Sequence, residues 1–529
     1  MTTDMTTERQ PRAGWREWAG LAVLALPTLM VALDLFVMLL AVPHLSTALH
    51  ASSTQQLWIL DVYGFMVAGL LLTMGTLGDR IGRRRLLLIG AAAFGTASIL
   101  AAWSANPEML IAARALLGIA GATLSPSTLS LVMTLFRDPR QQASVVGIWA
   151  GCFVVGAIIG PIVGGALLEH FWWGSVFLLG VPAMVLLLVA GPRLLPEFRN
   201  PQAGRLDLAS VALSLAAILP IVYGLKELAR GGWRPLPVAT IAVGLAVGWR
   251  FVARQRALAS AGADPLLDLR LFHNRAFSTT LGSLLANSTL AGGTMAIIAQ
   301  HFQLVEGLSP LRAGLALVPG MLAAIASFQL APVLARQVRP AFLFSGGLAV
   351  SVTGLLLLTQ SSATSGPLIL MAGFVLVSFG GGPLVALGTN LVVGSAPPEH
   401  AGSAAGVAQT ANEFGYALGI ATLGSIGVAV YHARMADATA TSVPGAAAAA
   451  ARDTLAGATA AAHSLPDQLA TALLAVARDA FTGGLHAAAS VSAVLLAGIA
   501  LLIVTTLRQL PPIGHAQPDP REEAPATPA

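Results

Sequence analysis

Four ionisable residues interrupt long apolar runs: Asp34, Asp61, Arg114 and Glu413. A charged side chain surrounded by hydrocarbon is expensive, so each is a functional hypothesis by default. A carboxylate held beside an arginine in such surroundings can exchange between ionised and neutral forms as water gains and loses access. A proton carrier needs that property. Asp34 with Arg114 fits it, with Asp34 also a candidate to bind substrate, and Asp61 is a further candidate for proton coupling. The alternatives are structural: a static Asp34–Arg114 ion pair that fixes helix packing, and an Asp61 that complements a helix dipole from the first turns of its helix. Glu413 stands between Asn412 and Phe414, with Tyr416 one turn on. An acid beside aromatics would hold a lipophilic cation through Coulomb attraction and cation–π contact, or else make a structural hydrogen bond. Asn287 and Asn390 are candidates for lining the same cavity, or for bonding one helix to another.

These residues need long helices to position them. Of 529 residues, 56% are hydrophobic and 10% charged, and the mean hydropathy is +0.77. A soluble domain is about 25% charged, so the chain is an integral membrane protein. A bilayer-spanning helix takes about 20 residues. Apolar stretches of that length fall at 17–43, 56–78, 86–104, 108–135, 142–168, 174–192, 207–226, 235–253, 276–300, 311–334, 341–360, 366–394, 402–431 and 485–508, which makes fourteen spans. The expected fold class is all-α integral membrane, with a polar N-terminal arm over 1–16. The first apolar stretch is too long for a signal-peptide core. At about 1.5 Å per residue, Asp34 lies about 14 Å below the outer end of its helix, Asp61 and Arg114 about 5 to 10 Å from theirs, and Glu413 about 20 Å from the inner end of its own.

Basic residues accumulate on the cytoplasmic side of membranes. With a cytoplasmic N-terminus, twenty-one of the 29 basic residues fall inside and seven outside, Lys226 among the seven, with Arg114 within a helix. Both termini are then cytoplasmic. The stretch 432–484 is Ala-rich but carries Asp437, Arg452, Asp453, Asp467, Arg478 and Asp479. It reads as an external loop, either a helical hairpin over a substrate exit or a segment with no part in transport. A tail over 511–529, rich in Pro, Ala and Glu, is expected to be disordered. Asp207, at a helix start, reads as an ordinary cap. The single Cys152 lies in an apolar run and supports neither a disulfide framework nor a cysteine metal site.

Two motifs sharpen the reading. Gly75-Thr76-Leu77-Gly78-Asp79-Arg80-Ile81-Gly82-Arg83-Arg84-Arg85, at the inner end of the second span, describes a charged latch between two helices. Gly156-Ala157-Ile158-Ile159-Gly160-Pro161-Ile162-Val163-Gly164-Gly165, in the fifth, places small residues every fourth position for backbone-to-backbone packing. Its Pro161 removes one internal hydrogen bond and bends the helix.

Together these resemble the major facilitator superfamily, and within it the fourteen-span drug:proton antiporter branch of the EmrB/QacA type. The first matches the family's inner-loop motif and the second its antiporter motif. Leu110 to Gly118 is similar to the family's fourth-span motif, keeping Arg114 but with Leu117 where a Gln is usual. Leu33-Asp34-Leu35-Phe36 through Pro43 is similar to the first-span motif, with Phe36 where the family has Thr. Thr54 to Tyr63 resembles the QacA-like subgroup, and Pro332 to Pro340 a worn second copy of the inner-loop motif.

The resemblance implies two six-helix bundles, over 17–192 and 276–508, with two linker helices over 207–253 inserted between them, working by alternating access in a bacterial-type inner membrane. It implies proton-coupled export of hydrophobic cations such as quaternary ammonium compounds and dyes, or alternatively of one antibiotic or natural product. The proton motive force would drive it, with no cofactor, metal or nucleic acid involved, and the expected state is a monomer in the lipid bilayer. Lys226 is the sole lysine and precedes Glu227, so no phosphate-binding GK[ST] loop for an ATP-driven pump exists in this chain. The antiporter motif argues against a sugar or peptide importer, and no nucleophile or metal cluster suggests an enzyme.

Overall fold

The computed structural model describes residues 14–136, 138–197, 199, 207–262, 265–362, 366–396, 401–438 and 445–509. The expected tail over 511–529 and all but the end of the N-terminal arm lie outside these residues. The described residues form helices and no strand: α1 (Trp15–Leu49), α2 (Ser53–Ile81), α3 (Arg83–Ala102), α4 (Pro107–Leu135), α5 (Pro139–His170), α6 (Ser175–Leu178) and α7 (Gly180–Leu194). There follow α8 (Leu208–Gly231), α9 (Pro235–Ser260), α10 (Arg275–Leu304), α11 (Pro310–Leu334), α12 (Pro340–Leu358), α13 (Pro367–Gly394) and α14 (Ala401–Ala438). Two short helices, α15 (Gly445–Asp453) and α16 (Leu455–Ala462), precede the last, α17 (Asp467–Leu507). Among the described residues fourteen spans are long and apolar enough to cross a membrane, α6 and α7 together making the sixth.

Local chemistry sets the helix starts. Ser52, Asn106 and Ser309 accept hydrogen bonds from backbone N–H groups of α2, α4 and α11. Pro107, Pro235, Pro310, Pro340 and Pro367 occupy first turns, where a missing N–H costs nothing.

Packing repeats between the halves. In the first, α1 lies on α5, α2 and α3 on α4, and α3 on α7; in the second, α10 lies on α14, α11 and α12 on α13, and α12 on α17. The halves meet through α2 with α14 and α5 with α11, a reciprocal pair that the repeat requires. The linker helices pack on each other, and α8 also lies against α2 and α14. Helix α1 begins and α17 ends at one end of the bundle, where Trp18 packs on Phe136 and Arg339 Nη1 donates to the Arg508 carbonyl. This is the terminal end, and the opposite one the far end.

The far end departs from the sequence expectation. The last helix begins at Asp467 rather than 485, and α14 continues to Ala438 rather than ending at 431. Alanine favours helix, and charged residues are tolerated once a helix has left the hydrocarbon. With 41 and 38 residues, these helices are about 60 Å long against a core of about 30 Å. Between their projecting ends α15 and α16 form a small apolar cluster in which Met435, Ala451, Leu455, Ala458 and Ala477 are buried. Residues 439–444 of the expected external loop lie outside the described ones.

Candidate functional site

Asp34 and Arg114 form an ion pair between α1 and α4. Arg114 Nη1 donates to Asp34 Oδ2 at 2.5 Å, with the arginine side chain fully buried and the carboxylate 13% exposed. Arg114 Nε donates to the Ile59 carbonyl at 3.1 Å. Its guanidinium lies 4.7 Å from the centroid of the Tyr63 ring. The arginine is therefore fixed by α2 on two sides while α1 supplies the carboxylate. Arg114 Nη2 and the Tyr63 hydroxyl are buried with no hydrogen-bond partner among the described residues.

A cavity of about 240 Å³ lies between the halves, bordered on α1 by Phe36, two residues after Asp34. Its wall is mostly apolar: Phe36 of α1, Phe153 and Ile158 of α5, Phe328 of α11 and Phe374 of α13. Asn287 and Tyr416 contribute polar groups to it. Tyr416 packs edge-on against Phe36, with centroids 6.2 Å apart, and its hydroxyl donates to Met295 Sδ at 3.2 Å. Phe36, where the family's first-span motif has Thr, is thus an aromatic wall. Glu413, one turn before Tyr416, is half-buried and accepts from Gln409 Nε2 at 3.0 Å. No basic side chain pairs with it among the described residues.

Four of the sequence candidates for substrate binding, Asp34, Glu413, Phe414 and Asn390, do not line the cavity. Phe414 faces away from the cavity and packs on Phe65 of α2, centroids 5.9 Å apart, in a cluster with Val222 of α8. A step of one residue turns a helix by about 100°, so Glu413 and Phe414 cannot share a face. Asn390 is exposed and is no part of the cavity wall, lying two turns beyond Gly381 and Gly382, which are. Asn412 accepts from Ser288 Oγ at 2.8 Å and joins α14 to α10.

Asp61 also has a partner that sequence alone did not suggest. Lys226 Nζ donates to Asp61 Oδ1 at 2.8 Å and lies 2.7 Å from Oδ2, with both side chains at 0% exposure. The ammonium sits 3.8 Å from the Trp58 ring centroid. Lys226, counted above as an outer-loop charge, belongs instead to a turn of α8 that continues past 226 to Gly231 and packs against α2. Its helical register after Val222 was the available signal.

The glycines of the fifth span work as backbone contacts. A Cβ on Gly156 would lie 2.6 Å from the Leu29 carbonyl oxygen, and one on Gly160 3.3 Å from that of Leu33. Gly164 faces Val37. Gly165 turns to the other half, where a Cβ would lie 2.6 Å from Leu311 Cα, and Gly314 meets the Pro161 carbonyl. The motif therefore joins α1 to α5 along one face and closes α5 on α11 toward the far end. Gln303 Nε2 adds a bond to the Leu40 carbonyl at 3.1 Å. The cavity occupies the part of the α5–α11 interface on the terminal side of this seal.

At the terminal end the latch is assembled around the α2–α3 turn. Gly82 adopts φ +112°, a conformation that favours glycine. Asp79 Oδ1 accepts from Arg83 Nε at 2.8 Å, and Arg83 Nη1 reaches the Pro126 carbonyl of α4, against which Gly75 also packs. Arg80 is exposed. Glu197, beyond α7, completes the arrangement: it accepts from the Arg84 backbone N–H at 3.2 Å and lies 3.6 and 3.9 Å from the Arg84 and Arg85 guanidinium groups. It sits more than a hundred residues away in sequence, with no local pattern to mark it.

Asp207 is the cap expected of it, its carboxylate accepting from the Ser210 N–H at 3.2 Å and from the Ser210 hydroxyl. It also accepts two bonds from Arg254, at 2.8 and 3.1 Å, which tie α8 to α9. The Arg254 bonds, with those from Ser210, hold its carboxyl at about 2.

Comparison with known proteins agrees with this architecture. The family model of the Major Facilitator Superfamily matches residues 24–420. The chain is 42% identical to the multidrug efflux pump LfrA of Mycolicibacterium smegmatis over 95% of this chain and 99% of that one. It is 35% identical to the methyl viologen resistance protein SmvA of Salmonella typhimurium, over 78% of this chain and 82% of that protein. It is 31% identical to the tetracenomycin C resistance and export protein of Streptomyces glaucescens, over 96% and 93% of the two chains. Among solved structures, an inward-facing bacterial homologue of the lysosomal transporter Spinster superposes with a TM-score of 0.66 at 16% identity, covering 93% of this chain and 98% of that one. That likeness shows the fold.

Proposed function

The chain belongs to the major facilitator superfamily, a multi-pass membrane transporter rather than an enzyme, and on that premise we propose that it exports hydrophobic cations in exchange for protons. The observation that carries this reading is Glu413: a half-buried carboxylate without a basic partner among the described residues, one turn from Tyr416 in the wall of an aromatic-lined cavity. An unpaired acid beside aromatic faces attracts a lipophilic cation, and a proton competes for the same oxygens. The methyl viologen resistance of SmvA supports a cationic substrate.

Asp34 is the coupling acid of this mechanism and Arg114 its modulator. Protonation of Asp34 breaks the ion pair between α1 and α4 and frees the arginine charge, which disfavours a cation nearby. The terminal end is cytoplasmic, in keeping with Arg80, Arg83, Arg84, Arg85, Arg336, Arg339 and Arg508 gathered there. The far-end seal at Gly165 and Leu311 then closes the outer side while the cavity receives drug from the cytoplasm or inner leaflet. Opening it to the outside admits protons, which neutralise Asp34 and Glu413 and release the cation. The latch around Gly82 closes the inner side in that second state. The protein acts as a monomer in a bacterial inner membrane, powered by the proton motive force.

The test is proton release from purified protein in detergent on adding monovalent and divalent cationic dyes. Cations should displace protons from the wild type, and Glu413→Gln should lose most of that signal. The second reading, a dedicated exporter of one antibiotic, is favoured by the tetracenomycin C relative. It becomes the better one if no cation displaces a proton and a single neutral or anionic compound binds instead.

A further inference from the structure

Lys226 is the chain's sole lysine, and it is completely buried between α8 and α2. Its ammonium touches both oxygens of Asp61 and lies over the face of Trp58. Phe65, Val222 and Phe414 close the surroundings. A carboxylate with an indole face beside it is the recognition chemistry of an organic cation. Here that place is taken by a cation tethered to the protein's own linker helix.

We infer that Lys226 is a specificity-determining residue, which cancels Asp61 and thereby sets the charge of the cation that the cavity prefers. The inference rests on the cation:proton reading above. Three carboxylates lie outside the cavity wall: Asp34 on α1 facing α4, Asp61 on α2 facing the linker helix α8, and Glu413 on α14 one turn from Tyr416. Asp34 is compensated by Arg114 and Asp61 by Lys226, while Glu413 receives only the Gln409 amide. Arg114 Nε donates to the Ile59 carbonyl, two residues before Asp61, so both ion pairs are anchored on one stretch of α2. Phe65, one turn below Asp61, packs directly on Phe414, the residue after Glu413. A single uncompensated carboxylate matches a single positive charge. Removing the lysine leaves two, which favours a divalent substrate; removing Asp61 leaves a free ammonium, which disfavours it. One unit charge at about 10 Å and an effective dielectric constant of about 20 changes the divalent-to-monovalent preference on the order of tenfold.

The experiment is transport of ethidium, a monovalent cation, and methyl viologen, a divalent one, in proteoliposomes with an imposed pH gradient. Lys226→Met should raise the methyl viologen to ethidium ratio about tenfold, Asp61→Asn should lower it, and the double variant should return it to the wild-type value. A ratio unchanged in both single variants, or loss of both substrates by the same factor, overturns the inference and makes the pair a structural one. If Lys226→Met does not fold, as size-exclusion chromatography would report, Asp61→Asn decides alone, since its ratio must fall. A wild type that transports neither cation rejects the functional reading itself, and this inference with it.

Discussion

Arg114 reaches Asp34 from α4 while its other contacts, the Ile59 carbonyl and the Tyr63 ring, both belong to α2. The guanidinium thus keeps two of its attachments when the carboxylate is neutralised. Protonation at Asp34 changes what α1 is bound to without dismantling the α2–α4 contact, and α1 is also the helix against which the α5 glycines pack. A proton at one oxygen is therefore mechanically connected to the element that seals the far end.

Asp34→Asn is expected to lower pH-driven transport by at least tenfold while leaving substrate binding within a few-fold of wild type. Arg114→Ala should also cost stability, because it leaves a buried carboxylate unpaired, at about 3–5 kcal/mol. Transport assays with and without a pH gradient, beside thermal unfolding, separate the two. Undiminished gradient-driven transport by Asp34→Asn removes that residue from the coupling role.

Gly165→Leu places a side chain where Leu311 Cα already lies. Closure of α5 on α11 should then fail, and transport should fall about tenfold or more with the protein still folded. A Phe36→Cys reporter, in a Cys152→Ser background, should react faster with an impermeant reagent added from outside. Equal labelling with and without Gly165→Leu would show that the seal lies elsewhere.

Glu197→Gln should slow transport several-fold and leave substrate affinity unchanged, because the contacts Glu197 makes are with the α2–α3 turn and its arginines, away from the cavity wall. Surface ion pairs contribute about 0–1 kcal/mol, so the melting temperature should shift little. A changed affinity with an unchanged maximal rate contradicts a latch role.

The Asp207–Arg254 bond makes a pH prediction outside the spans. The folded-state value, about 2, lies below the ordinary carboxyl value of 3.8. The stabilisation is therefore fully present above about pH 4 and is lost as pH falls through about 2. Asp207→Asn should melt a few degrees below wild type at pH 7, and the gap should narrow between pH 4 and pH 2. A gap that stays constant over that range assigns the loss to something other than the ionised carboxylate.

The sequence by itself determined the membrane class, the fourteen spans and the superfamily, because hydrocarbon imposes a length and polarity on each helix that no tertiary contact can override. It also singled out Asp34, Arg114 and Glu413, since a charge in an apolar run stands out wherever it points. Which charges meet was decided only by the tertiary structure. Asp61 finds Lys226 across 165 residues, and Glu197 finds the α2–α3 turn across more than a hundred, through helix packing that periodicity does not encode. The same holds for direction around a helix: Tyr416 faces the cavity and Phe414 does not, because a rotation of about 100° per residue separates neighbours and only the packing of α14 on α2 and α10 selects which face looks inward.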